Sequence, residues 1–291
     1  MPNHSNQNLS VWLTGQTCSR DQRRRRYTRD SVAHPGKMLP AIARHAIATW
    51  TDPGDLVFDP MAGIGTSIIE AMHLGRNGVG VEYEARWAQV AANNIALAVH
   101  QGAPGSGQIW HGDARRLTTI APGTIRGRVA LVLTSPPYGD STHGQVRTPG
   151  PKSGKVNKID HRYGSDLDNL AHIDLDDFAD EFTRILSECA GLLRPGGTIA
   201  VTARPVRRGR ELIDIPGMVI GAGARVGLTL ADRCAALIPA MKHGRLISRA
   251  SFFQKHNVRI ALAAGEPQWL ISHEDLLAFS RTPGFGLQPN D

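Results

Sequence analysis

The sequence predicts an α/β fold: a mostly parallel sheet with helices on both faces. Three observations predict it. Apolar, β-type runs alternate with segments of helical apolar spacing from residue 55 onward. The first run ends in an acid and a glycine loop that opens a helix, Asp59-Pro60-Met61-Ala62-Gly63-Ile64-Gly65-Thr66. The fourth run, Val129 to Leu133, ends in Thr134-Ser135-Pro136-Pro137-Tyr138, where a buried strand gives way to a loop.

Taken in order, the first thirty residues are polar and carry Arg23-Arg24-Arg25-Arg26, which reads as a solvated basic arm or a nucleic-acid contact. Met38 to Trp50 has helical spacing, and Thr51-Asp52-Pro53-Gly54 stops it. A strand over Asp55 to Pro60 feeds the glycine loop and a helix to Leu74. Glycines there permit a tight turn and close backbone approach to a ligand. A dinucleotide fingerprint would place a glycine directly after the strand, where this chain has Asp59-Pro60. Asn77 to Val81 is a second strand capped by Glu82, and Glu84 to about Val99 a helix. Ser106 to His111 is a third strand ending in Gly112-Asp113. Glu82 suits the hydroxyls of a ribose and Asp113 an adenine amino group. Either acid could instead cap the helix that follows it.

In Ser135-Pro136-Pro137-Tyr138 the prolines remove two backbone donors and force an extended course, so carbonyl oxygens can face a site. Ser135 adds a hydroxyl acceptor and Tyr138 a flat ring. That set suits an exocyclic amine on a nucleobase: acceptors hold its hydrogens while the ring stacks on the base. The alternative is a proline-rich turn whose tyrosine merely packs.

Gly139 to about His172 interrupts the alternation. It carries Lys152, Lys155 and Lys158, which suit phosphate contact beside a flipped base or form a solvated insertion. Asp174 to Leu193 then reads as an amphipathic helix, stopped by Arg194-Pro195-Gly196-Gly197 before a fifth strand, Thr198 to Ala203. Arg204, Arg207, Arg208 and Arg210 cluster at its end, with Arg207 and Arg208 the expected phosphate contacts. Glu211 to Asp232 is expected to be helical. Arg233 to Ala240 and Glu274 to Ser280 are expected as an antiparallel pair joined by Met241 to His273.

These residues resemble the S-adenosylmethionine-dependent amino-methyltransferases, specifically the DNA N4-cytosine and N6-adenine enzymes. Asp59 to Thr66 matches the family's D-P-F-x-G-x-G-T cofactor loop, and Ser135 to Tyr138 its catalytic loop. His34-Pro35-Gly36-Lys37 resembles the H-P-x-K segment that closes over the methionine end. The resemblance implies a Rossmann-like seven-stranded methyltransferase sheet, mostly parallel with an antiparallel C-terminal strand. It implies S-adenosylmethionine as cofactor, held by His34, Pro35, Lys37, Asp59, Pro60, Ala62, Gly63, Gly65, Thr66, Glu82 and Asp113. Ser135, Pro136, Pro137 and Tyr138 would hold the target amine. Serine at the first loop position resembles the cytosine-N4 branch more than the adenine-N6 branch. A tRNA guanine-N2 methyltransferase, whose loop reads D-P-P-Y-G, and a non-catalytic nucleic-acid-binding module are the other readings. No Pro-Cys nucleophile loop is present, which argues against carbon-5 cytosine chemistry. No separate target-recognition domain is evident.

Composition agrees with a compact enzyme. The chain has 291 residues, 41% of them hydrophobic, with Lys+Arg 33 against Asp+Glu 26 and a net charge of +7. That surplus suits DNA or, alternatively, RNA as partner. The expected organisation is a polar basic arm over 1–30, a domain over 31–281 with an insertion at about 139–172, and a tail over 282–291. Cys18, Cys189 and Cys234 lie far apart, so neither a disulfide framework nor a metal site is expected. No apolar signal core or membrane-length run is present, which predicts a cytoplasmic protein without membrane partners. The residues specify neither an oligomeric state nor a cognate nuclease.

Overall fold

A computed structural model describes residues 9–138, 145–147, 157–159, 169–170 and 174–281. Its sheet has eight strands: β1 (Val11–Trp12), β2 (Leu56–Asp59), β3 (Asn77–Glu82), β4 (Gly107–His111), β5 (Val129–Thr134), β6 (Leu193–Ala203), β7 (Leu228–Leu237) and β8 (His273–Arg281). Their spatial order is β1-β7-β8-β6-β5-β2-β3-β4. All neighbours are parallel except β8, which is antiparallel to both β6 and β7. The helices of eight or more residues are α1 (Pro40–Trp50), α2 (Thr66–His73), α3 (Ala85–His100), α4 (Leu175–Ala190), α5 (Ile215–Arg225) and α6 (Phe252–Ala263). This is the Rossmann-like arrangement expected, with one strand more than the seven implied.

Period-2 alternation sorts the central strands onto two cores. Val129, Val132, Ile199, Val201, Leu277 and Phe279 face Phe178 and Phe182 of α4 and Val219 of α5. Leu131, Leu133, Ala200 and Leu276 face Ile42 and Ile47 of α1. Burial on both faces explains why these strands read as continuous apolar runs. Cys189 and Cys234 are buried thiols in these cores. Among the described residues no helix is long and apolar enough to cross a membrane.

Two segments differ from expectation. Glu211 to Asp232 is not one helix. Glu211–Ile213 pairs with Val206–Arg208 as a hairpin, α5 follows, and Gly227 in the left-handed region ends it. Leu228 then enters β7, because β8 needs a partner on that side: Leu228 faces Arg281 and Leu230 faces Phe279. The connector between β7 and β8 likewise holds a hairpin, Ala240–Lys242 with Arg245–Ile247, and then α6.

The second difference is the N-terminal segment, which from Val11 onward packs onto the domain. Val11 and Trp12 form the eighth strand beside Ala235 and Ala236. Arg23 is buried and donates to Ser19 and to the Met38 carbonyl. Arg26 pairs with Glu70 at 3.0 Å, and the Tyr27 hydroxyl donates to the same carboxylate at 2.8 Å. Of the four arginines, only Arg24 and Arg25 are exposed. The cause is Glu70, 0% exposed on α2, whose charge requires partners that the arm supplies.

Replacing Glu70 with alanine strands Tyr27 and Arg26 together. The expected cost is about 3 kcal/mol, read as a lower urea midpoint, with the N-terminal segment becoming protease-sensitive. An unchanged midpoint would show that the arm is held by its other contacts, such as Trp12 in the sheet and Arg23 on the Met38 carbonyl.

Candidate functional site

The chain builds β2, β3 and β4 outward in one direction, then returns to build β5 and β6 in the other. β2 and β5 are therefore adjacent parallel strands whose connections diverge, with Val57 opposite Leu131 and Phe58 opposite Val132. A crevice opens outside the C-terminal ends of such a pair. Asp59 ends β2 and Ser135 follows β5, so both sequence-predicted loops meet there.

They line one cavity of about 300 Å³. One wall is His34, Pro35, Lys37, Asp59, Ala62, Gly63 and Thr66; the other is Ser135, Pro136, Pro137 and Tyr138. A narrow second cavity of about 20 Å³ shares Met61 and Pro137 with the first and adds Pro60, Glu82, Tyr83 and Asp113. Gly65 lines neither. It sits at φ +81° against Ala91 of α3, so its role is a left-handed helix start at a tight helix contact.

Asp59 joins two elements. Its carboxylate, 4% exposed, accepts from the Met61 N–H at 3.0 Å in the glycine loop and from the Ser67 hydroxyl of α2. Burial outweighs those bonds and pushes its pKa up to about 6. Glu82, 1% exposed, accepts from Gly63 N–H at 2.7 Å and Glu84 N–H at 2.9 Å, which ties β3 to the glycine loop. Burial raises its pKa to about 7.

The His34–Lys37 segment lies over the glycine loop. The His34 ring stands edge-on to Trp87 at 4.7 Å, and a Cβ on Gly63 would meet its Nε2 at 3.0 Å. Glycine is required there by that contact and by φ +55°. Burial and the nearby Lys37 lower the His34 pKa to about 3, so its imidazole is neutral. Lys37 donates to the Val32 carbonyl at 3.2 Å and to the His34 carbonyl. Burial, then the charge of Arg23, lowers its pKa to about 8.

Asp113 lines the narrow cavity and also does what a strand-end acid does. It accepts from the Arg115 N–H at 2.9 Å and pairs with the Arg115 guanidinium at 2.8 Å. Asn169 and Leu170 close this half of the crevice, with Asn169 donating to Glu84 at 2.8 Å.

Arg204 and Glu274 also line the large cavity and were absent from the expected site. Arg204 follows β6, so its place at the ligand edge was legible in the arginine cluster. Glu274 lies near the start of β8, and only the antiparallel direction of that strand brings its first residues to this edge. Tyr138 sits between them and α4. Its ring meets Phe178 edge-on at 6.4 Å, its hydroxyl bonds with Arg204, and burial beside Glu274 raises its pKa to about 12. Burial also raises the Glu274 pKa, opposed by Arg204 and His273.

Arg207 and Arg208, two of the expected phosphate contacts, line neither cavity. Both are on the hairpin after β6, and Arg207 donates to the Arg210 carbonyl at 3.1 Å. Lys152 and Lys155 fall outside the described residues. Lys158 lies in a three-residue strand, Asn157–Ile159.

Comparison with known proteins agrees with the cofactor half. Residues 3–93 match the DNA methylase family model. The chain is 29% identical over 127 residues to a tRNA (guanine(10)-N2)-dimethyltransferase of Methanocaldococcus jannaschii, covering 43% of this chain and 33% of that protein. It is 29% identical over 102 residues to the DNA adenine methyltransferase YhdJ of Escherichia coli, covering 35% of this chain and 32% of that one. The matched regions thus span about a third of those relatives. Among solved structures, TrmN from Thermus thermophilus shares the fold with a TM-score of 0.51 at 15% identity, over 90% of this chain and 53% of that one. The chain is similar to the S-adenosylmethionine-dependent amino-methyltransferases, and S-adenosylmethionine is the cofactor of that family.

The residues present fit that cofactor. Asp59 would offer a buried carboxylate to its ammonium, and Lys37 a cation to its carboxylate. Glu82 would have acceptor capacity for a ribose diol beside its two backbone bonds, since a carboxylate offers about four acceptor sites. The narrow half admits an adenosine group only as Asn169 and Leu170 move aside.

Cofactor binding to the ionised forms of Asp59 and Glu82 would set a pH dependence. Their free carboxyls have pKas raised to about 6 and about 7, so affinity should fall as pH drops through 7 and again through 6. Calorimetric titration across pH 5 to 8 reads this, and Asp59→Asn should bind weakly and lose the step near pH 6. A wild-type affinity independent of pH would remove Asp59 from the ammonium.

Proposed function

We propose that this protein is a methyltransferase acting on an exocyclic amino group of a nucleobase within a nucleic acid, with cytosine N4 in DNA as the favoured target. The observation that carries the reading is the single cavity shared by the Asp59–Thr66 loop and the Ser135–Tyr138 loop. Bound S-adenosylmethionine would supply an electrophilic methyl group on a sulfonium. The rest falls to the chain's own residues.

A nucleobase amine is delocalised into its ring and is a poor nucleophile. Acceptors at the Ser135 hydroxyl and the Pro136 carbonyl hold its hydrogens and favour a geometry with more lone-pair character. Pro136 and Pro137 carry no N–H that could compete for those acceptors. The Tyr138 ring lines the cavity and is braced from behind by Phe178. Stacking on such a ring contributes roughly 1–3 kcal/mol per base. The proton that the amine sheds passes to solvent.

Serine at position 135 supports the cytosine reading by family tendency. Glu274 favours a second reading, guanine N2 in RNA. An ionised carboxylate accepts from guanine, whose N1–H lies beside its amino group. Cytosine N3 and adenine N1 present a lone pair at that place instead. The similarity to tRNA guanine-N2 enzymes supports this second reading, and that to YhdJ supports adenine N6 in DNA.

Incubating the protein with methyl-labelled cofactor and either DNA or tRNA, then identifying the modified nucleoside by mass spectrometry, decides between them. Tyr138→Ala should cut turnover by about 10- to 100-fold, as expected for lost stacking, while Tyr138→Phe keeps most of it. Ser135→Ala should also impair transfer. Glu274→Gln separates the targets: guanine methylation should fall, whereas cytosine methylation should persist because the amide can donate to N3. Wild-type turnover in both Tyr138→Ala and Ser135→Ala would make the loop structural and end the reading.

A further inference from the structure

The connector between β7 and β8, residues 238–272, rises from the same sheet edge as the site. β7 runs with the parallel strands and β8 against them, so Ile238 leaves and Ser272 returns at the ligand edge, next to Glu274. Arg204 of the large cavity also lines a cavity of about 50 Å³ at the root of this connector, with Pro239, Arg249, Gln254 and Ser272. The N-terminal segment holds that root in place. Thr14 donates to the Leu237 carbonyl at 2.9 Å, and Arg249 donates to the carbonyls of Gly15 and Gln16 at 2.8 and 2.9 Å. The unit is therefore an anchored projection beside the crevice.

Its outer surface is unlike the rest of the domain. α6 begins with a complete capping box, Ser251 with Gln254, so it is a well-specified helix. Yet its single buried residue is Ala261. Phe252, Lys255, His256, Arg259 and Ile260 recur at helical spacing and are all exposed. Phe252 and His256 lie with parallel rings, centroids 5.8 Å apart. The hairpin beyond adds exposed Lys242, Arg245 and Leu246, and Trp269 is 76% exposed. The connector carries Lys242, Arg245, Arg249, Lys255 and Arg259 against one acid, Glu266, which Arg210 already pairs at 2.7 Å. Lys242, Arg245, Lys255 and Arg259 pair with no acid among the described residues.

Cations interleaved with exposed aromatic faces are the surface that binds a nucleic-acid strand: the cations meet phosphates, and the rings stack on bases. A protein–protein face would be depleted of lysine at its centre. We propose that the α6 face of this connector is the target-recognition surface, binding the nucleic-acid strand that flanks the base presented to the Ser135–Tyr138 loop. This rests on the nucleobase reading above. It assigns recognition to a short element within the domain, in a segment that the sequence suggested only as a link between two strands.

The test uses the whole protein and two probes, a fluorescent DNA duplex and a tRNA transcript, each titrated at several salt concentrations. Lys255→Gln combined with Arg259→Gln should weaken binding of the substrate probe by roughly tenfold or more and lower its log–log salt slope by about 2, near 0.9 per lost phosphate contact. Phe252→Ala should weaken binding without changing the slope. Neither change should alter cofactor affinity, which reports that the fold is intact. If wild type binds a probe and these variants bind it equally well, with the same slope, the recognition surface lies elsewhere and the catalytic reading stands. If wild type binds neither probe, the nucleobase reading itself fails. A variant that instead changes the oligomeric state in gel filtration would show that this face meets a second copy, and would overturn the proposal.

Discussion

Everything at the site hangs on one buried carboxylate. Asp59 ends β2, accepts from the Met61 N–H and takes the Ser67 hydroxyl from the first turn of α2. Those contacts fix the glycine loop and α2 to a strand that itself pairs with β5, which leads into Ser135. Burying an acid so thoroughly is costly, and the raised pKa records that cost. An ammonium group arriving in the cavity would offset it.

A second buried acid organises the periphery in the same manner. Glu70 on α2 gathers Arg26, Tyr27 and Arg44, and so folds the N-terminal segment against the domain. That segment then completes the sheet edge through Val11 and Trp12 and reaches the β7–β8 connector through the Gly15 and Gln16 carbonyls. A polar arm thereby becomes the strut between the cofactor side of the domain and the projection beside the crevice.

Much of the fold was readable because parallel strands buried on both faces leave long apolar runs, as at Val129 to Leu133 and Ile199 to Ala203. The site was readable where one loop carries its own chemistry, at Asp59 to Thr66 and at Ser135 to Tyr138. Expectation failed where local composition and long-range pairing disagree. Glu211 to Asp232 has enough alanine, valine and isoleucine to read as a helix, but Leu228 to Asp232 is claimed by the free edge of β8. Arg23 and Arg26 read as part of a solvated arm or a nucleic-acid contact because their partners, Met38 and Glu70, lie 15 and 44 residues away.

The sequence alone determined the alternation of elements from β2 to β6, the glycine-loop geometry and the donor-free course of the Pro-Pro-Tyr loop, because each depends on residues within one turn or strand. The tertiary structure decided which side chains share the cavity. Glu274 joins Tyr138 only because β8 runs antiparallel, and Glu82 reaches Gly63 only because β3 lies beside β2. It also decided that the basic, aromatic face of α6 stands at the crevice, since strand direction is set by pairing between distant segments and leaves no mark on the residues that it brings together.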